Sequence, residues 1–356
     1  MTFKAVDAFC GAGGLTLGLS EAGFDVIVSF DIDPICIKTL RSNSSENKQI
    51  VIQSDVKDML NGRLLSIMDL EKGELDLLAG GPPCQGFSIQ RTIGIDEDDR
   101  NLLVNDYGDL ILEVEPRFFL VENVPGIGGR RGREVLALFS NRMEDAGYAL
   151  HERVLDAKDF GVPQRRKRYL LIGERLSGSA EPNFEWPEAM TGKAPTVRQT
   201  IGDLPSPPTD GSEHPSILNH RADRLSPLNK ARLMSLKPGE GRTNLPPELL
   251  AKCHERSADL VGHRNVYGRM DWDSVAPTIT ARFDSFTRGQ FGHPSETRSV
   301  SLREGARLQT FPDTYHFSGT KVEVASQIGN AIPPRFARII GQQIAIALRQ
   351  KSLTNR

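Results

Sequence analysis

Cys84 stands in "GGPPCQGFS" (residues 80–88), where Pro82 and Pro83 stiffen the backbone ahead of it and Gly86 frees the backbone after it. A thiol ordinarily titrates near about 8.5 and reacts as the thiolate, which nearby basic groups or a helix N-terminus favour. A cysteine is equally at home as a small buried hydrophobe, and Cys10, Cys36 and Cys253 fit that plainer reading. The four cysteines show no CxxC spacing, which argues against a disulfide framework or a zinc site. Glu122 and Asn123 follow the apolar run "RFFLV" in "VENVPG" (121–126). An acid placed there with a raised pKa can donate a hydrogen bond or proton to a heterocycle nitrogen, although ENxP alone also makes a surface turn. The basic run in "GVPQRRKRYLLIG" (161–173) offers arginines both for a cleft and for phosphates. "QIGNAIPPRFAR" (327–338) is an ordinary proline-marked helix start and carries little alone.

"FCGAGG" (9–14) supplies a different chemistry. Gly11 and Gly13 allow a tight turn and close backbone approach, and the helix that follows offers free N–H groups. Asp31 and Asp33 close the next strand about 20 residues on, where a ribose-binding carboxylate belongs. Asp55, at the end of "QIVIQSD", offers a carboxylate for an exocyclic amine, or simply ends a strand. A nucleoside cofactor is expected; the third glycine of a dinucleotide loop is missing and no GxxxxGK[ST] sequence occurs, so NAD and ATP both lose ground.

The elements that must position these groups are strands and helices in alternation. "FKAVDAF" (3–9), "DVIVSFD" (25–31), "LDLLAG" (75–80), "RFFLVEN" (117–123) and "RYLLIGE" (168–174) are near-continuous apolar runs. Separated by helical stretches, they imply a mainly parallel sheet with helices on both faces. Chemistry then gathers at the carboxyl ends of the strands. Residues 177–275 are rich in Pro, Gly, Ser and Arg. Their scattered leucines, Trp186 and Trp272, and the strand-like "APTITARF" (276–283), favour a small irregular domain over a linker. "RFARIIGQQIAIALR" (335–349) has helical apolar spacing and reads as a docking C-terminal helix.

At 356 residues the chain has room for two domains, and its composition is that of an ordinary folded protein. No apolar run reaches a membrane span and the opening lacks a signal-peptide profile, so a cytosolic protein with reduced thiols is expected. The net charge of −2 conceals an asymmetry: residues 1–125 carry 10 Lys+Arg against 21 Asp+Glu, and residues 126–356 carry 34 against 25. The basic excess clusters at "GGRRGR" (128–133) and "PQRRKR" (163–168), which suits a polyanion on one face or a solvated surface.

In order, "DAFCGAGGLTLGL", "GGPPCQGFS", "DDRNLL", "FFLVENVPG", "DFGVPQRRKRYLLIG", "RSVSLREGARLQTFPD" and "QIGNAIPP" strongly resemble the DNA (cytosine-5) methyltransferases over about residues 3–175 and 276–345. The resemblance implies an α/β, Rossmann-like S-adenosylmethionine methyltransferase domain (1–176 and 325–356) and a smaller irregular target-recognition domain (177–324). The cofactor would lie against Phe9, Gly11, Ala12, Gly13, Gly14 and Leu15. Asp31 would take its ribose beside Ile32, and Asp55 its adenine amine beside Val56. Gly81, Pro83, Leu103, Asn330 and Ile332 would complete the pocket. Cys84 would attack C6 of a flipped-out cytosine, making C5 nucleophilic toward the methyl group. Glu122 would contact N3 and the exocyclic amine, with Arg166 and Arg168 supporting the base's O2 and the glutamate.

The same resemblance implies double-stranded DNA as partner, touched by Gln85, Ser88, Gln90 and Arg91 on a closing loop and by Arg100, Gln164, Arg165 and Thr278. It further implies a sequence-specific monomer without a metal, cytoplasmic and associated with a bacterial nucleoid. A cognate restriction endonuclease would act on the same site without forming a stable complex. Asp31 replaces the commoner glutamate, and Asn101 stands where glycine is frequent; neither removes a chemical group. A tRNA methyltransferase would carry a "CFT" signature, which is absent. A catalytically dead relative would lack the Cys or the Glu, and both are present. "PPCQ" together with "ENV" removes the oxidoreductase that "GAGG" alone allowed.

Overall fold

The apolar runs of the first half fold as strands because their side chains are buried on both faces, and the polar stretches between them become helices and turns. The structure, a computed structural model, describes residues 2–44, 49–83, 98–129, 132–176, 178, 181–250 and 266–354. Two units divide the chain: Met1–Phe160, Lys167–Ala189 and Ile332–Arg356 form the first, and Gly161–Arg166 with Met190–Ala331 the second.

The first unit is a seven-stranded sheet. Its strands are β1 (Phe3–Ala8), β2 (Phe24–Asp31), β3 (Ile50–Gln53), β4 (Leu77–Gly80), β5 (Phe118–Asn123), β6 (Tyr148–Asp156) and β7 (Lys167–Arg175), in the order β3-β2-β1-β4-β5-β7-β6. The first five in that order are parallel, so their carboxyl ends share one edge. β7 runs against β5, with Asn123 opposite Tyr169 and Glu122 opposite Leu170. The start of β7, carrying Arg168, therefore lies at that same edge. The chain order reverses direction between β1 and β4, the place where open α/β sheets bind ligands.

Helices α1 (Gly14–Glu21), α2 (Pro34–Asn43), α3 (Arg63–Met68), α4 (Asp98–Val114) and α5 (Arg133–Asp145) connect these strands. The large core joins β1, β2, β4 and β5 to α3, α4 and α5 through residues such as Phe30, Leu78, Tyr107, Phe119 and Phe139. The expected C-terminal helix spans Pro334–Thr354 and packs on α1 at Gly18, where a Cβ would come within 2.4 Å of the Pro334 carbonyl and 2.5 Å of Ala337 Cβ. Strand β6 was not anticipated from the sequence. It pairs with a single neighbour and leaves Glu152, Arg153 and Val154 exposed, so no apolar run marks it.

The second unit has little regular structure: α6 (Val197–Ile201), α7 (Pro227–Met234), α8 (Leu302–Leu308) and α9 (Lys321–Asn330) sit among turns. Buried arginines hold it together. Arg303, with no exposure, donates to the carbonyls of Leu218 (2.8 Å), Pro312 (3.0 Å) and Tyr315 (2.7 Å). Arg269 does the same for Leu233 (2.7 Å), His293 (2.7 Å) and Glu296 (3.1 Å). Arg166 binds Ile279 (2.8 Å), Gly329 (3.0 Å) and Ala331 (2.8 Å). A guanidinium presents five N–H donors in a fixed fork, so each of these side chains satisfies carbonyls that a sheet ladder would otherwise have to serve.

Candidate active site at the carboxyl edge of the sheet

The glycine loop leaves β1 through backbone that few side chains tolerate. Phe9 has φ 58°, Gly11 φ 50° and Gly13 φ 85°. Gly13 caps α1 with no side-chain hydrogen bond of its own, and within the first turn the Thr16 N–H is taken by the Asp7 carboxylate. The two acids at the end of β2 divide their tasks. Asp33 caps α2, accepting from Ile35 N at 2.8 Å and Cys36 N at 3.4 Å. Asp31 turns to the loop, its Oδ2 accepting from Gly11 N and its Oδ1 from Asp33 N, both at 2.8 Å. Burial pushes the Asp31 carboxyl up from its ordinary value, and its backbone hydrogen bonds oppose the rise.

Ile32, between these acids, is 64% exposed, an apolar side chain left at a strand end. Asp55 Oδ1 accepts from Lys57 N at 3.0 Å, and Val56 beside it is buried. Phe9 meets the edge of Tyr107 at 5.7 Å, Leu103 packs on the core, and Ala12, Gly14 and Leu15 are buried. The carboxyl ends of β1, β2, β3 and β4 thus present Phe9 to Leu15, Asp31, Ile32, Asp55, Val56, Gly81 and Pro83 along one edge, with Leu103 on α4. Ile332 is half-buried just before the C-terminal helix of the same unit. Asn330 ends α9 in the second unit, its amide donating to Ser326 at 3.3 Å.

Across the reversal point, Gly81 follows β4, and a Cβ on it would stand 3.3 Å from Glu122 Oε2. Glu122 Oε1 lies 2.7 Å from Arg168 Nε, with the two side chains only 12% and 11% exposed. The Nε–H does not point along that line, so the contact is an ion pair rather than an aligned hydrogen bond. Asn123 Nδ2 donates to the Pro82 carbonyl at 3.0 Å, tying β5 to the turn that precedes Cys84. Cys84, with Gln85, Ser88, Gln90 and Arg91, lies outside the described residues, as does the side chain of Arg100.

The arginines and glutamine of the basic run part company. Arg168 stands beside Glu122, whereas Arg166 is spent on backbone carbonyls of the second unit. Gln164, expected at DNA, is wholly buried: it donates to Leu308 O and Gln309 Oε1, both at 2.8 Å, and accepts from Ile279 N at 3.0 Å. Arg165 is exposed, and its carbonyl accepts from the Thr278 hydroxyl. Sequence reasoning missed the Asn123 clamp, whose signal was a buried polar residue at the very end of a buried strand. Among the described residues no group of three His, Cys, Asp or Glu side chains could hold a metal ion.

This sheet order, with its glycine loop and paired strand-end acids, defines a Rossmann-like S-adenosylmethionine-dependent methyltransferase. An Escherichia coli prophage-encoded DNA modification methyltransferase has the same fold over 98% of this chain and 100% of its own, at TM-score 0.72 and 27% identity. Spodoptera frugiperda DNMT2 shares the fold at TM-score 0.63 and 15% identity, over 98% of this chain and 100% of its own. The C-5 cytosine-specific DNA methylase family model matches residues 3–345, and the chain belongs to that family. It is a DNA (cytosine-5-)-methyltransferase that takes its methyl group from S-adenosylmethionine. The type II methylase M.HgiDII of Herpetosiphon aurantiacus is 35% identical over 97% of this chain and 95% of its own. The type II methyltransferase M1.HphI of Haemophilus parahaemolyticus is 32% identical over 97% and 87%.

The edge fits that cofactor. Gly11 has open space where a Cβ would stand, Gly13 gives the α1 N-terminus no side-chain cap of its own, and exposed Ile32 offers an apolar face for a heterocycle.

Proposed function

We propose that Cys84, Glu122 and Arg168 carry the reaction. The loop from Phe9 to Leu15 with Asp31, Ile32, Asp55, Val56, Gly81, Pro83, Leu103, Asn330 and Ile332 holds the cofactor, which supplies an electrophilic methyl group when bound. The Cys84 thiolate forms a bond to C6 of the target cytosine, and the electron pair of the C5–C6 double bond moves toward C5 and the ring. Glu122 holds N3 and the exocyclic amine, so the charge that develops on the ring is favoured in cytosine alone. Arg168 fixes the Glu122 carboxyl. After C5 has accepted the methyl group, its proton leaves to water, the Cys84–C6 bond breaks and the thiolate returns. In this reading Arg166 acts through the backbone it braces, and Gln164 ties the second unit internally.

The clamp from Asn123 to the Pro82 carbonyl, beside the Glu122–Arg168 pair, carries this reading. It binds the strand end bearing the acid to the turn bearing the thiol, which is what a shared target base demands. Residues 177–324, which include most of the second unit, read the DNA sequence, and Arg165 and Thr278 as well as Gln85, Ser88, Gln90, Arg91 and Arg100 touch the DNA in this reading. The type II relatives support a modification enzyme, and in this reading it is a monomer of a bacterial cytoplasm. Its site would also be cut by a cognate restriction endonuclease that forms no stable complex with it.

A duplex bearing 5-fluorocytosine at the target tests the chemistry. Fluorine cannot leave as the proton does, so wild-type enzyme should be trapped covalently and Cys84→Ser should not. A wild-type complex that dissociates in denaturant would reject the nucleophile.

A further inference from the structure

Asp7 lies at the centre of the sheet, 1% exposed, and has no part in the steps above. Its Oδ2 accepts from the Thr16 hydroxyl at 2.5 Å, and the Thr16 oxygen lies 3.1 Å from Ser29 Oγ. Ser29 Oγ accepts from the Gln49 amide at 2.7 Å, and Gln49 Oε1 lies 3.0 Å from the Ser44 hydroxyl, which also reaches the Leu40 carbonyl at 2.8 Å. A hydroxyl owns one proton. Thr16 gives its proton to Asp7, so Ser29 gives its own to Thr16, and the amide fills the place left on Ser29. The three donors nearest Asp7 therefore point along the chain toward it, which favours an ionised carboxylate at its end.

Burial opposes them and dominates, lifting the Asp7 carboxyl to about 7; the Thr16 bonds lower it and the charge of Asp31 raises it. The surroundings explain the balance. β2 places Ser29 opposite Asp7 and Asp31 at its end, β4 places Ala79 opposite, and α1 contributes Thr16. The charge of Asp7 also helps push up the Cys10 thiol and the Tyr107 phenol. Among the described residues no cation pairs with Asp7. Asp7 precedes Phe9 by two residues, and Thr16 is the third residue of α1, so the bond between them spans the glycine loop.

The cofactor carries a cationic sulfonium, whereas the product of transfer, S-adenosylhomocysteine, is a neutral sulfide. We propose that Asp7 is a positioning residue of the glycine loop whose ionised carboxylate favours the cationic cofactor over the neutral product. This rests on the loop holding the cofactor. The charge acts through the interior rather than by contact, and it is lost as pH falls through the range in which Asp7 takes up a proton.

Calorimetric titration of the full chain with S-adenosylmethionine and with S-adenosylhomocysteine, from about pH 6 to about pH 8.5, reads the effect directly. In the wild type the preference for the sulfonium should rise about tenfold across that range relative to Asp7→Asn, the order expected for one charge acting through protein. The ligands' own amines titrate alike against both proteins and cancel. Thr16→Val keeps the carboxyl but removes its donor, so the midpoint should move to higher pH; this arm decides if Asp7→Asn does not fold. Equal pH dependence in wild type and Asp7→Asn, or an unmoved midpoint in Thr16→Val, would overturn the proposal. Failure of the wild type to bind either ligand would instead overturn the cofactor site beneath it.

Discussion

Glu122 and Asn123 are chain neighbours with separate tasks, one facing Arg168 and the other holding the Pro82 carbonyl. Replacing Glu122 by Gln keeps the shape but removes the charge and the acid. Single-turnover methylation should slow about 10²- to 10⁴-fold, with DNA affinity retained. A rate within a factor of about three of wild type would remove Glu122 from the chemistry. Asn123→Ala leaves the Pro82 carbonyl without its donor and the cysteine turn less fixed. The turnover rate should fall about tenfold or more while cofactor affinity changes far less, because Gly81 and Pro83 adjoin the clamp but the glycine loop and Asp31 do not. A matching loss of cofactor affinity would mean that Asn123 serves the fold at large. At this scale the sequence was partly legible. "FCGAGG" with Asp31 twenty residues on suggested a nucleoside site, and the structure joins the two through the bond from Gly11 N to Asp31, since local turn chemistry writes itself into residue types. The division of labour between Arg166 and Arg168, two residues apart, was not legible, because their partners come from distant parts of the chain.

The strands show the same limit one level up. β1, β2, β4 and β5 were readable as apolar runs because both faces are covered, while β6, paired on one side, carries polar residues that hide it. Its neighbour β7 contains Glu174, fully buried and received by Lys351 of the C-terminal helix at 2.8 Å, by the backbone N–H groups of Asn183 and Phe184, and by His151 at 3.5 Å. Burial alone would raise this carboxyl, but the bonds from His151, Lys351 and Asn183 outweigh it and hold it at about 2. The folded pKa lies below the unfolded value of 4.5, so the stabilisation is whole above pH 4.5 and fades as pH falls toward 2. Denaturant titrations should show wild type losing its advantage over Glu174→Gln across that window; a constant difference would disprove the linkage. At neutral pH, Lys351→Met should cost about 2 kcal/mol, moderated by the donors that remain on Glu174.

At the scale of the molecule, the second unit resisted reading because arginine side chains satisfy its backbone instead of periodic ladders. Its irregular texture was visible, but its internal ties were not. If this unit reads DNA, exchanging its residues 190–275 for those of another family member should move the methylated sequence, as bisulfite sequencing of host DNA would report. An unchanged target would locate recognition elsewhere. The first unit, meanwhile, is written in pieces at the two ends of this sequence. Gly18 lies against Pro334 and Ala337, more than 300 residues later, and the second unit is written almost entirely in the interval. On the ribosome, the apolar side of α1 must therefore wait for nearly all of this sequence to emerge before its covering helix exists. Closing so long a loop costs about 5 kcal/mol of chain entropy, which the packing of that helix on α1 must offset.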